Sequence, residues 1–241
     1  MRMQSALHLI YPPRCLACGA LVAGDGGLCG PCWRETPFIS GLVCDACGVP
    51  LPGEAEAGAV EFCDECRQTA RPWRSGRAAL LYEGNARRLV LAFKRSARFD
   101  LVEPAAGWML RAAAPLLRED MLVAPVPLHP FRFLRRRYNQ SALLSRAIAR
   151  RAGLGHCPDL LVRHKATPVL EGLGAEERFT AMAGTIRAHR RRAELASGRP
   201  VLLVDDVMTS GATLAACTEA CIAVGAGEVC VLALARVAKD A

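Results

Sequence analysis

Two adjacent carboxylates, Asp205 and Asp206, follow the apolar run Val201-Leu202-Leu203-Val204, and the small polar string Thr209-Ser210-Gly211-Ala212-Thr213 comes shortly after them. An apolar run without alternation reads as a strand covered on both faces in a parallel sheet. The acids then stand at the carboxyl end of that strand, where open α/β sheets bind their ligands, and the polar string turns into a helix beginning near Gly211. Helix N-termini and nests of successive amides bind phosphate, small residues let the anion approach the backbone, and Thr and Ser hydroxyls add donors. Carboxylates beside such a cradle accept hydrogen bonds from ribose hydroxyls, so the combination suits a sugar phosphate. The competing reading is a plain βα turn with Thr209 or Ser210 as N-cap. No G-x-x-x-x-G-K-[ST] is present, and Gly225-Ala226-Gly227-Glu228 is too short for a dinucleotide fingerprint.

A second chemistry lies near the start of the chain. Eight of the twelve cysteines form four C-x-x-C pairs: Cys15/Cys18, Cys29/Cys32, Cys44/Cys47 and Cys63/Cys66. The apolar run Ala6 to Ile10 is too short for a signal-peptide core, so the pairs read as zinc ligands and not as a disulfide framework. Four thiolates close a tetrahedral site, and a two-residue spacer lets one tight turn supply two of them. Glycine follows the second cysteine in CLACG and CDACG but not in CGPCW or CDECR, which makes a repeat. That repeat assigns Cys15, Cys18, Cys29 and Cys32 to one zinc and Cys44, Cys47, Cys63 and Cys66 to another, with interleaved pairing left open. A redox role would need one exposed pair near a βαβ unit, whereas four pairs in a Gly/Pro-rich segment call for structural metal. Cys157, Cys217, Cys221 and Cys230 read as small buried residues. The remainder of the chain is expected to keep its core without the zinc thiolates.

These sites need elements to hold them. The 241 residues allow one full domain and a small one. Charge divides the same way: three basic against eight acidic residues up to Cys66, then 28 against 15. The acidic zinc module suits protein docking, and the basic remainder suits an anionic partner. After a linker around RQTARPWRSG, Ala86, Leu89, Val90 and Phe93 fall at helical spacing. A second helix runs from about Val102 to Leu117, MLVAPVPL is a strand, and a third helix spans about Asn139 to Ala152 before Gly153. Further strands are predicted at DLLVR and EVCVLALARV, so the whole reads as βαβ units in a mostly parallel sheet. The stretch ATPVLEGLGAEER has few apolar anchors and reads as a lid. The arginine cluster Arg132, Arg135, Arg136 and Arg137 follows a strand end, where the Pro127-Leu128-His129 loop could supply a second anion cradle. No stretch approaches the roughly 18 apolar residues of a membrane helix, and the chain reads as cytoplasmic.

The stretch VLLVDDVMTSGATL resembles the phosphoribosyl-pyrophosphate (PRPP) signature of type I phosphoribosyltransferases. Taken with YPPRCLACG, the four C-x-x-C pairs, YEGNARRLVLAFK, VAPVPLHP…RRRYNQSALLSRAIA and TP…ERF…AG, the chain resembles the ComF family of competence proteins from about Ile10 to Val237. The resemblance implies an α/β fold: a type I phosphoribosyltransferase-like parallel sheet flanked by helices over 75–241, behind a double zinc ribbon over 1–70. It implies a ribose grip by Asp205 and Asp206, a 5′-phosphate loop from Thr209 through Ser210, Gly211 and Ala212 to Thr213, a pyrophosphate loop at Pro127, Leu128 and His129, and Lys94 facing the same cleft. The implied cofactors are two structural zinc ions and Mg²⁺ with PRPP.

The implied role is accessory to DNA uptake in natural transformation, with single-stranded DNA and a ComF helicase docking through the ribbon as partners. The alternatives are a metabolic transferase moving phosphoribose onto a base or amine, and a PRPP sensor without turnover. Two departures fall in the lid: Thr167-Pro168-Val169-Leu170 stands where the family usually reads T-P-x-Q, and Arg178 is followed by Phe179, Thr180 and Ala181 where it reads R-x-x-N.

Overall fold

The computed structural model describes residues 11–24, 26–54, 59–96, 98–128, 138–165, 172 and 174–238. In chain order the elements are helices α1 (Gly30–Arg34) and α2 (Asp64–Gln68), strand β1 (Ser75–Leu81), helices α3 (Gly84–Arg95) and α4 (Val102–Ala113), strand β2 (Leu122–Pro125), helix α5 (Gln140–Ala152), strands β3 (Gly155–His156) and β4 (Leu161–Arg163), helix α6 (Ala175–Met182), strands β5 (Ile186–Ala188) and β6 (Val201–Met208), helix α7 (Ala212–Ile222), and strand β7 (Val229–Arg236).

Five strands form one sheet in the order β1-β7-β6-β2-β3, and every pairing in it is parallel. Its two faces are buried separately. Leu202, Val204, Leu232 and Val123 point into one core with α3, α4 and α5, while Val201, Leu203, Val231 and Ala124 point into another with α7. This coverage on both sides is why the strands read as unbroken apolar runs. Asn139 caps α5 by accepting a hydrogen bond from the Ser141 N–H, and Gly153 ends it at φ 68°.

Four expectations change. The predicted second helix stops at Ala113, just before Pro115, which cannot continue a helical hydrogen-bond ladder. The strand at DLLVR exists, but outside the parallel sheet: Leu161–Arg163 pairs antiparallel with Ile186–Ala188. The strand holding the acids does not end at Val204, because Asp205, Val207 and Met208 continue the ladder opposite Ala233, Ala235 and Arg236. Pairing with a neighbour thus outweighs the low strand propensity of aspartate. Finally, the stretch read as a linker holds Trp73, which is 4% exposed and donates Nε1–H to the Ala46 carbonyl at 2.6 Å, and it leads into β1.

The zinc module therefore sits against the sheet. Gly76 N–H donates to the Asp45 carbonyl, Arg77 pairs with Asp45 at 2.6 Å, and Cys44, Cys47 and Cys66 are buried in the same core as α7. One of the two cores of the second part therefore includes those cysteines, contrary to the expectation, while the core on the α3, α4 and α5 face contains none of them. Gly48, at φ 71°, shows how close the approach is: a Cβ there would lie 2.6 Å from the Ala78 nitrogen.

Candidate functional site

In sheet order β6 and β2 are neighbours, but the connection from β6 leads through α7 to β7 on one side, and that from β2 leads through α5 to β3 on the other. The two helices lie on opposite faces. This reversal is a topological switch point, and the crevice beyond the carboxyl ends of two such strands is where open α/β sheets bind ligands. Asp205 and Asp206 lie in the last half of β6 on that side, and the Thr209–Thr213 string leaves the strand there. Pro127 and Leu128 leave β2 beside them, since Pro125 pairs with Val204.

The adjacent acids are held differently, because successive side chains of a strand point to opposite faces. Asp205 Oδ1 accepts a hydrogen bond from Ser141 Oγ at 3.0 Å and from the Asp206 N–H at 2.9 Å. Burial pushes the Asp205 carboxyl up to about 7, and the Asp206 charge pushes the same way, against the Asp206 N–H, Lys94 and Ser141. Asp206 is buried and forms an ion pair with Lys94, Nζ to Oδ1, at 3.2 Å. Lys94 thus reaches the cleft from α3, and Ser141 reaches it from the first turn of α5.

Beyond β6 the chain turns at Gly211, whose φ of +83° suits glycine; a Cβ there would also lie 2.9 Å from the ring of Trp73. Ser210 Oγ accepts from the Ala212 N–H at 3.4 Å, and α7 begins. The first N–H groups of α7 have no partners within the helix. Asp205, Arg178 and residues 207–214 line a cavity of about 30 Å³.

Behind this loop stand two buried arginines that the sequence did not single out. Arg71 donates Nη1–H to the Ser210 carbonyl at 2.6 Å, and Arg236 donates Nη1–H to the Thr209 carbonyl at 2.5 Å. Both guanidiniums also pair with Glu65 of α2, at 3.4 and 3.0 Å. The available signals were faint: an Arg-Pro-Trp inside an apparent linker, and an arginine closing an apolar strand.

Of the predicted site residues, the fold brings Asp205, Asp206, Lys94 and Thr209 to Thr213 to one edge, with Pro127 and Leu128 leaving the adjacent strand. His129, the arginines from Arg132 to Arg137, and Thr167 to Leu170 lie outside the described residues. Arg178 lines the cavity from α6.

The cysteines form two clusters, Cys15, Cys18, Cys29 and Cys32, and Cys44, Cys47, Cys63 and Cys66, with the sulfurs of each within 4.8 Å of one another. The pairing is sequential, which closes the interleaved alternative. Cys18 and Cys29 sulfurs stand 3.6 Å apart and those of Cys47 and Cys63 3.7 Å, close to the roughly 3.8 Å edge of a tetrahedron with Zn–S bonds near 2.3 Å. Four sulfurs this close disfavour joint ionisation unless a cation lies among them. Hydrogen bonds from Cys47 and Cys66 draw Cys44 far down, while sharing with Cys44 and Cys47 pushes Cys66 far up. The donor set fits zinc. Gly19 and Gly48, the glycines that mark the repeat, take φ of 77° and 71° at the exits of the two knuckles.

The double zinc ribbon domain family matches residues 6–67. Competence protein F of Haemophilus influenzae is 29% identical over 229 residues, covering 92% of this chain and 96% of that protein. DNA utilization protein YhgH of Escherichia coli (strain K12) is 28% identical over 235 residues, covering 95% and 99%. Among solved structures, an adenine phosphoribosyltransferase superposes with a TM-score of 0.36 at 18% identity, over 62% of this chain and 75% of that one. The adenine phosphoribosyltransferase of Saccharomyces cerevisiae gives 0.35 at 18% identity, over 62% and 74%.

The sheet and the two four-cysteine sites define the class, a helix-flanked five-stranded parallel sheet carrying a double zinc ribbon. Within that class the chain is similar over nearly its whole length to competence protein F and the YhgH proteins.

Proposed function

We propose that the chain binds PRPP at the carboxyl edge of β6 and β2 and serves DNA uptake or utilization. The observation that carries this reading is the meeting, at the switch point, of a carboxylate pair with a loop of small residues that opens a helix. The amides and hydroxyls of Thr209 to Thr213 take the 5′-phosphate, Asp205 and Asp206 take the ribose hydroxyls, and the Pro127-Leu128-His129 loop takes the pyrophosphate. A cavity of about 30 Å³ admits a water-sized group, so seating a phosphate requires its lining, which includes Arg178, to open. Mg²⁺ bound with PRPP supplies charge compensation for the leaving pyrophosphate. Lys94 holds Asp206 in place until the ligand arrives.

In this reading 1–70 is the ribbon and 75–241 the ligand-binding unit, at work in the cytoplasm. The positive charge of the second part attracts single-stranded DNA by counterion release. The acidic ribbon offers a docking surface for a helicase. Among the described residues no helix is long and apolar enough to cross a membrane.

Calorimetric titration of zinc-loaded protein with PRPP, with and without Mg²⁺, tests the reading. Saturable, Mg²⁺-strengthened binding is expected, and no heat at millimolar PRPP would refute it. A screen of bases and amines for pyrophosphate release then separates a transferase from a sensor or uptake factor. DNA affinity that does not fall with added salt would remove the electrostatic part of the account.

A further inference from the structure

Three successive carbonyls of the loop are held from behind. Met208 and Thr209 accept from Arg236, and Ser210 accepts from Arg71. In a planar trans peptide the N–H of the next residue points opposite to the carbonyl. Holding the Thr209 and Ser210 carbonyls on the arginine side therefore turns the Ser210 and Gly211 amides the other way, toward an anion.

The arginines are themselves held by the second zinc site. Arg71 donates Nε–H to Cys66 Sγ at 3.4 Å, a sulfur that keeps lone pairs for N–H donors when it ligates zinc, and Glu65, next to Cys66 in sequence, pairs with both guanidiniums. The side chains are 2% and 3% exposed, and buried guanidiniums are costly to keep. Arg71 also lies 5.6 Å from the ring centroid of Phe179, on the helix that carries Arg178. We propose that Arg71 is a positioning residue that couples the second zinc site to the anion loop, fixing the Ser210 carbonyl so that the loop amides are set before a phosphate arrives. This rests on the reading of residues 209–213 as a phosphate loop.

The test uses the full zinc-loaded chain and the variants Arg71→Met and Arg71→Lys, with exposed Arg74→Ala as control. Amide exchange over residues 209–213 is measured beside that of the strand segment 201–204, together with zinc content and PRPP affinity. The expected result is two zinc ions per chain, exchange at 209–213 at least about 10-fold faster with 201–204 unchanged, and PRPP affinity about 10-fold lower, for both variants. Lysine fails with methionine because a single ammonium cannot span Cys66 and Ser210. Loop exchange equal to the parent's with both zincs in place overturns the proposal, as does acceleration shared equally by 201–204. If Arg71→Met sheds zinc, Arg71→Lys decides. If the parent itself does not bind PRPP, the ligand reading fails, and loop exchange alone decides the coupling.

Discussion

Lys94 Nζ lies 3.2 Å from Asp206 Oδ1, joining the last turn of α3 to the end of β6 across the mouth of the crevice. Their side chains are only 20% and 12% exposed, so each charge depends on the other. Lys94→Met should leave Asp206 as an unpaired, largely buried carboxylate and cost on the order of 2–4 kcal/mol. Adding Asp206→Asn to it should recover part of that loss. Denaturant unfolding of the two singles and the double completes the cycle, with a coupling of about 1–3 kcal/mol expected. Additive effects would show that the pair is not formed in solution.

Asp205 yields a pH dependence of opposite character. Burial, then the Asp206 charge, raises its pKa to about 7, above an ordinary value near 3.9 in the unfolded chain. The folded state therefore holds the proton more tightly. The Asp205 contribution favours the fold fully below about pH 4 and fades as pH climbs through about 7. The whole span is worth on the order of 2–4 kcal/mol. An asparagine in its place would keep an acceptor for Ser141 and carry no charge, so Asp205→Asn should melt about 5 °C or more above the parent at pH 8 and match it near pH 4. Parallel melting curves for the two proteins from pH 4 to 8 would contradict the assignment.

The second cysteine cluster shares a core with α7, and this changes what metal removal should do. Cys44, Cys47 and Cys66 are buried on that face of the sheet in the same core as Leu203, Val231 and Leu214, whereas the first cluster keeps Cys18 exposed. Chelation should release two metals per chain, and the melting transition of the sheet should fall by about 10 °C or more once the second is gone, since metal binding and folding share one free energy. Metal counting alongside calorimetry checks both. One metal per chain, or a sheet transition that ignores chelation, would disprove the arrangement.

The zinc ligands and the loop were legible in the sequence because each is local: a C-x-x-C spacer is a single turn, and Thr209 to Thr213 is one strand-to-helix corner. Their supports were not. Arg71 meets Ser210 across 139 residues and Ser141 reaches Asp205 from a separate helix, while Lys94 was expected in the cleft only through the family resemblance. Such contacts follow from strand order, which hydrophobic periodicity does not encode. β1 escaped for a related reason: Gly76 and Arg77 dilute its apolar run, and its strand character comes from pairing with β7 and from the ribbon packed on it.

Gly211 meets two demands at once, a positive φ and contact with Trp73. Gly211→Ala should cost on the order of 1–3 kcal/mol through backbone strain and the displaced ring. PRPP affinity should fall with it, while both zincs remain. A variant that binds like the parent would place the phosphate elsewhere.

The two acids should separate in a way that a shared ribose grip alone does not predict. If both carboxylates accept hydrogen bonds from ribose, either Asn substitution should weaken PRPP about 10-fold or more, on the scale of roughly 1.5–3 kcal/mol for a hydrogen bond to a charged group. Their effects on the unliganded protein must differ, because their partners differ. Asp206→Asn strands Lys94 and should lower the melting temperature at pH 8. Asp205→Asn removes a carboxylate that is costly to ionise and should raise it at pH 8. The measurement is a PRPP titration and a melting curve for each variant at pH 8. Equal losses of affinity with opposite shifts in stability would assign both acids to the ligand. Loss of stability in both with affinity unchanged would make them structural residues of the strand end, and the phosphoribosyl reading would fail with them.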